Sequence, residues 1–182
     1  MKRREFLRNG LKGTVAYTLL PAILLGSQST MAEQKTATTG VSENEIEYLL
    51  YMREEEKLAR DVYLTMYDTW GNHVFANIAD SEQTHTLAVK AKLEKYGIDD
   101  PVRDDDVGIF INQKLATLYE TLVEQGSKSE MDALWVGGAI EEIDMIDLQE
   151  AIDDAGHRDI AKVYQNLMDG SKNHLRAFVA AI

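Results

Sequence analysis

Apolar residues recur at spacings of three and four along four long segments of this chain, and each stripe is interrupted near its middle by polar or ionisable side chains. The first stripe runs Leu49, Met52, Glu56, Ala59, Tyr63, Met66, Trp70. The second runs Phe75, Ile78, Glu82, His85, Val89, Leu93, Tyr96. The third runs Leu134, Gly137, Glu141, Asp144, Leu148, Ala151, Ala155, and the fourth Ile160, Val163, Leu167, Ser171, His174, Phe178, Ala181. Ser42 and Glu45 form a capping box that starts the first helix at about residue 43, and Gly71 stops it after Trp70. The second helix spans about Val74 to Tyr96, ended by Gly97 with Pro101 beyond. Ser127 and Glu130 read as another capping box opening the third, which reaches Gly156. The fourth runs from about Asp159 to the carboxyl terminus.

Between the two helix pairs, Ile98 to Gly108, with Asp104-Asp105-Asp106, reads as a solvated loop. Asn112 to Glu124, ended by Gly126, reads as a short helix. Two tight hairpins joined by a long crossover containing a short helix predict an all-α, ferritin-like four-helix bundle over residues 42–182. With 182 residues the chain has room for one full core, and 45% hydrophobic with 27% charged residues is an ordinary globular balance. Neither of its two prolines falls in a stripe. The absence of cysteine excludes disulfides, thiolate ligands and cysteine nucleophiles.

The amino terminus reads as an address. Lys2-Arg3-Arg4-Glu5-Phe6-Leu7-Arg8 resembles the twin-arginine export motif, a modestly apolar stretch follows from Gly10 to Gly26, and Ser-Thr-Met-Ala ends at Ala32 with small residues suited to a signal peptidase. Residues 1–32 are thus expected to be a signal peptide and 33–41 a flexible leader, placing the protein in the periplasm or another extracytoplasmic space, the alternatives being an uncleaved anchor and an amphipathic amino-terminal helix of a cytosolic protein. The apolar stretch is short and broken by Lys12 and Pro21, so no stable membrane span is expected after cleavage. The twin-arginine route is that of proteins exported folded, which often acquire a metal first. Residues 1–32 carry five basic residues against one acid. The remainder therefore has 14 basic and 30 acidic residues, a net charge of −16 against −12 for the whole chain. That surface repels nucleic acid and attracts cations, although plain solubility is an equally physical reason for it.

The mid-stripe residues carry the chemistry. A carboxylate buried without a partner costs several kcal/mol or changes its protonation, and several at one level of a bundle repel each other. A divalent cation resolves the conflict. Glu56 ends the run Glu54-Glu55-Glu56, and it alone of the three lies on the stripe, the other two reading as solvated. Glu82 and His85 have the Glu-x-x-His spacing that sets both on one ion. An internal repeat locates the second half. Val74 to His85 aligns without gaps on Val163 to His174, with Val, Asn, Asp and His identical in register, and Gly71 on Gly156 sets Glu56 over Glu141. Glu82 then matches Ser171, and Asp144, one turn beyond Glu141, is the carboxylate that takes its place. Glu142 falls to one side. His73 and His157 lie in the hairpin turns and are expected to face solvent. Tyr63 reads as a core tyrosine with a satisfied hydroxyl, a radical relay being the alternative.

Glu56-Lys57-Leu58-Ala59-Arg60 followed by Glu82-x-x-His85 resembles the first half of a rubrerythrin-type ferritin-like domain. The segment Glu54 to Tyr63, Ser81-Glu82-Gln83-x-His85, Ile140-Glu141-Glu142-x-Asp144 and Gly170-Ser171-x-Asn173-His174-Leu175-Arg176-x-Phe178 together resemble the domain of unknown function 2202 family, over about residues 44–180. The resemblance implies a ferritin-like fold with a metal centre. The expectation is a di-metal site of Glu56, Glu82, His85, Glu141, Asp144 and His174, holding two divalent ions, iron or else manganese. Its expected chemistry is of oxidoreductase type on dioxygen, peroxide or ferrous iron. The competing readings are a non-catalytic, iron-sequestering protein and a metal-free interaction bundle whose polar core specifies helix pairing. Homo-oligomerisation fits all three, and no redox partner is legible.

Overall fold

The computed structural model describes residues 40–182, in which five α-helices and no strand occur. The signal-peptide reading of 1–32, and nearly all of the expected leader, lie outside the described residues. The helices are α1 (Glu43–Trp70), α2 (His73–Tyr96), α3 (Gln113–Gly126), α4 (Glu130–Asp154) and α5 (Arg158–Ala181). No helix among the described residues is long and apolar enough to cross a membrane.

Local chemistry explains most boundaries. The Ser42–Glu45 capping box is formed, and Gly71, at φ 69°, ends α1 in the left-handed conformation that glycine adopts without penalty. Asn72 and Asn112 cap α2 and α3 through their side-chain oxygens. Two expectations are corrected. Helix α4 is capped by Ser129, which accepts from the Asp132 N–H, rather than by Ser127, because α3 continues through Gly126 and uses Ser127 as its own C-cap. Helix α4 also stops at Asp154, with Ala155 extended and Gly156 not at positive φ, so the two hairpin turns of the internal repeat differ in conformation.

Helix α1 packs along α2 and α4 along α5, and the pairs meet where α1 contacts α4 and α2 contacts α5. An apolar layer of Leu49, Met52, Val89, Leu93, Leu148, Ala151, Ile160, Tyr164 and Leu167 joins the start of α1 to the end of α2, the end of α4 and the start of α5. All four of these contacts are therefore antiparallel. Toward the other end of α1, the rings of Tyr63, Phe75 and Phe178 cluster, with Tyr63 5.2 Å and Phe75 5.7 Å from Phe178 between centroids. Between these layers, every long helix contributes its polar positions. Each apolar layer excludes water from one side of the polar level.

The segment between α2 and α3 is a loop with Arg103 to Val107 exposed, as expected, yet residues 98–112 also clamp onto the outer face of α1. Arg53 grips Asp100 with two bonds of 3.1 Å each and also reaches Thr86. The fully buried Lys57 donates to Asp61 at 2.6 Å and to the Asp106 carbonyl at 2.8 Å. Arg60 bridges Asp61 and Asp105. Glu54 accepts the backbone N–H groups of Ile111 and Asn112. Helix α3 packs on α1 and α4 beyond this clamp. The charged run from Arg53 to Asp61 is consequently buried throughout, including Glu54 and Glu55, which the sequence pattern placed in water. His157 is also corrected. Its backbone N–H and its ring Nδ1 both meet Glu45 Oε1, at 2.8 and 3.0 Å, tying the α4–α5 turn to the start of α1. His73 is exposed, as expected.

Candidate metal centre

The six expected residues come from four helices and meet at the polar level. Helix α1 supplies Glu56, α2 supplies Glu82 and His85, α4 supplies Glu141 and Asp144, and α5 supplies His174. Glu82 stands at the middle. Its Oε2 lies 2.8 Å from His85 Nδ1 and its Oε1 lies 2.8 Å from His174 Nδ1. The two imidazoles stack at 5.3 Å between centroids. Glu56 Oε2 lies 3.2 Å from His85 Nδ1, and Glu141 Oε2 lies 3.6 Å from His174 Nδ1. Each histidine therefore has its own neighbouring glutamate, and both share Glu82. Asp144 lies close enough to Glu56 and Glu82 for their like charges to repel.

Several of these close approaches are not hydrogen bonds. Glu82 Oε2 and His174 Nδ1 have no aligned partner despite their 2.8 Å neighbours, and Glu56 Oε1 and Asp144 Oδ1 are likewise buried without one. Leaving a buried polar atom unsatisfied costs roughly 1–3 kcal/mol, more when it is charged. Four in one cluster are orphans of the kind a cation satisfies. Ligand atoms bound at about 2.0–2.2 Å to one ion stand about 3 Å apart when at right angles, the spacing seen here. The ligand atoms of Glu82, His85 and His174 all lie within 4.8 Å of one another. The residues present fit the group.

Neighbouring side chains hold the cluster in place. Tyr63 donates its hydroxyl to Glu141 Oε1 at 2.6 Å, so the satisfied-tyrosine reading holds. Ser171 Oγ lies 2.6 Å from Asp144 Oδ2. The serine that replaces a glutamate in the internal repeat thus contacts the aspartate expected to take over its charge. Ser81 Oγ meets His174 Nε2 at 2.8 Å. With a proton on Nε2 and donated to Ser81, His174 presents the Nδ1 lone pair inward. Gly170 leaves room for His85, since a Cβ there would lie 2.5 Å from its Nε2. The sequence showed Ser81 and Gly170 only as motif positions without a role, because they act on ring positions that no helical periodicity specifies.

The electrostatics follow from burial and crowding. Burial first, then Asp144 and Glu82, raises Glu56 well above the carboxylate range. Burial and Glu82 push Glu141 up to about 8, and burial pushes Asp144 to about 7 even though Ser171 opposes the shift. Glu82 moves the other way. Burial would raise it, but the two imidazoles hold it at about 2. Burial would lower both histidines, yet Glu56 and Glu82 push His85 to about 11, and Glu141 and Glu82 push His174 to about 9. Without a metal the centre holds protons that a cation would displace.

Fold and site together define an all-helical protein with a glutamate–histidine cluster at its centre. The family described as an uncharacterized protein domain, DUF2202, matches residues 45–182, and the chain belongs to that family. It is 58% identical over 139 residues to an uncharacterized protein, MJ0754, of Methanocaldococcus jannaschii, covering 76% of this chain and 75% of that one. The crystal structure of the hypothetical protein MJ0754 from Methanococcus jannaschii is similar with a TM-score of 0.77 at 54% identity. That likeness covers 84% of this chain and 85% of the other.

Proposed function

We propose that this is an exported protein with a ferritin-like four-helix bundle whose centre holds two divalent metal ions, iron or manganese, for redox chemistry on dioxygen, peroxide or ferrous iron. The observation that carries the reading is Glu82, whose two oxygens each lie 2.8 Å from a different histidine Nδ1, out of hydrogen-bond alignment. One oxygen per half-site is what a bridging carboxylate requires. His85 and Glu56 would complete one half, and His174 and Glu141 the other, with Asp144 as the remaining carboxylate.

The ions, when bound, supply the one-electron chemistry that these side chains lack. The chain contributes the rest. Ser81 and Gly170 orient the imidazoles, and Ser171 and Tyr63 hold the carboxylates. The two apolar layers keep bulk water out, and the His85 and His174 side chains are only 12% and 10% exposed, which suits small oxidants. Imidazole with carboxylate favours iron and manganese over calcium or magnesium. Metal analysis of the purified protein should give about two equivalents of iron or manganese. Repeated peroxide or ferrous turnover in air separates catalysis from one-time uptake. Folded protein that takes up no iron or manganese would refute the proposal.

A further inference from the structure

Beyond the centre, the seam between α1 and α4 gathers another set of oxygens. Tyr51 and Glu55 lie one turn apart on α1, facing Asp147 on α4. The Tyr51 hydroxyl is within donating distance of both Glu55 Oε1, at 3.4 Å, and Asp147 Oδ2, at 3.2 Å, and its single proton can serve only one of them at a time. Glu55 is 5% exposed, and its Oε2 is buried with no hydrogen-bond partner. The charges acting on it are Asp144, Asp147 and Glu56, all acidic. The cations of α1 are committed elsewhere, Arg53 to Asp100, Lys57 to Asp61 and Arg60 to Asp105. Asp147 is half-buried, so the seam remains open to ions from solution.

We infer that Glu55, Asp147 and the Tyr51 hydroxyl form a second cation site, made only of oxygen ligands and suited to a hard divalent ion. It goes beyond the central reading and uses none of the six central residues. Oxygens bound at about 2.3–2.6 Å to one ion, at right angles, stand about 3.3–3.7 Å apart, close to the separations found. A site with neither nitrogen nor sulfur, at these separations, suits calcium. The competing account is a single proton shared between Glu55 and Asp147.

Terbium(III), a hard ion whose luminescence is sensitised by a nearby tyrosine, separates the two in the metal-free full-length protein. The tyrosine-excited signal at low terbium should fall at least twofold in Asp147→Asn and in Tyr51→Phe, and persist in Glu82→Gln. An unchanged signal in Asp147→Asn would overturn the site and leave the shared proton. A signal lost in Glu82→Gln but kept in Asp147→Asn would place the ion in the centre and overturn it equally. If Glu82→Gln keeps the signal and also keeps the full thermal shift from manganese, the central reading fails while the seam site stands.

Discussion

Replacing Glu82 by Gln tests the bridging geometry more sharply than any other change. The substitution keeps shape and removes the charge between two imidazoles that each stand 2.8 Å from a different oxygen. A ligand that binds only the native state stabilises it by about 2.7 kcal/mol at a hundredfold excess over Kd. Two sites then contribute about 5 kcal/mol. A domain of this size gains roughly 2–4 °C in Tm per kcal/mol, so manganese should raise the wild-type Tm by roughly 10–20 °C. The double variant Glu56→Ala, His85→Ala removes one terminal glutamate with its own histidine, and should keep about half of that rise. Glu82→Gln should keep almost none, because both half-sites lose an oxygen at once. Thermal melts by circular dichroism, on chelator-treated protein with and without manganese in anaerobic buffer, read all three. A rise in Glu82→Gln equal to wild type would show that the ions bind the acidic surface. A rise half as large would make Glu82 a terminal ligand of one ion only.

The metal-free protein should lose stability as pH rises from about 5 to about 9. Glu141, Asp144, His85 and His174 all hold protons in the native state that the unfolded chain has released, whereas the depressed Glu82 and Glu45 matter only below about pH 4.5. Urea unfolding at the two pH values checks the sign, greater stability at the higher one would contradict it, and metal affinity should rise over the same interval. Gly170→Ala should push the His85 ring aside and cost one metal equivalent while the helical spectrum is unchanged; retention of both ions would show that the ring adapts. Changing Arg3 and Arg4 to Lys should leave unprocessed precursor in the cytoplasm, and undiminished export would remove the twin-arginine reading.

Much of this molecule was legible in its sequence because helices advertise themselves locally. The stripe spacings and the Ser42–Glu45 box put four long helices within a residue or two of their observed bounds, and the mid-stripe positions picked out Glu56, Glu82, His85, Glu141, Asp144 and His174. Periodicity reports which face of a helix points inward, and all six residues share that face. What it cannot report is what covers the other face. Glu54 and Glu55 read as a solvated face, yet the whole run from Arg53 to Asp61 is buried, much of it because residues 98–112 return to it across a separation of some 45 residues or more, with Asp100, Asp105 and Asp106 meeting Arg53, Arg60 and Lys57. Tertiary structure alone also decided that Glu82 faces both histidines, that Ser171 touches Asp144, and that Gly170 makes room for His85. Those contacts depend on the rotation and spacing of packed helices to within an ångström or so. Side-chain periodicity resolves a helix face only to about a quarter turn, so the membership of the buried cluster follows from the sequence and its pairing from the packing.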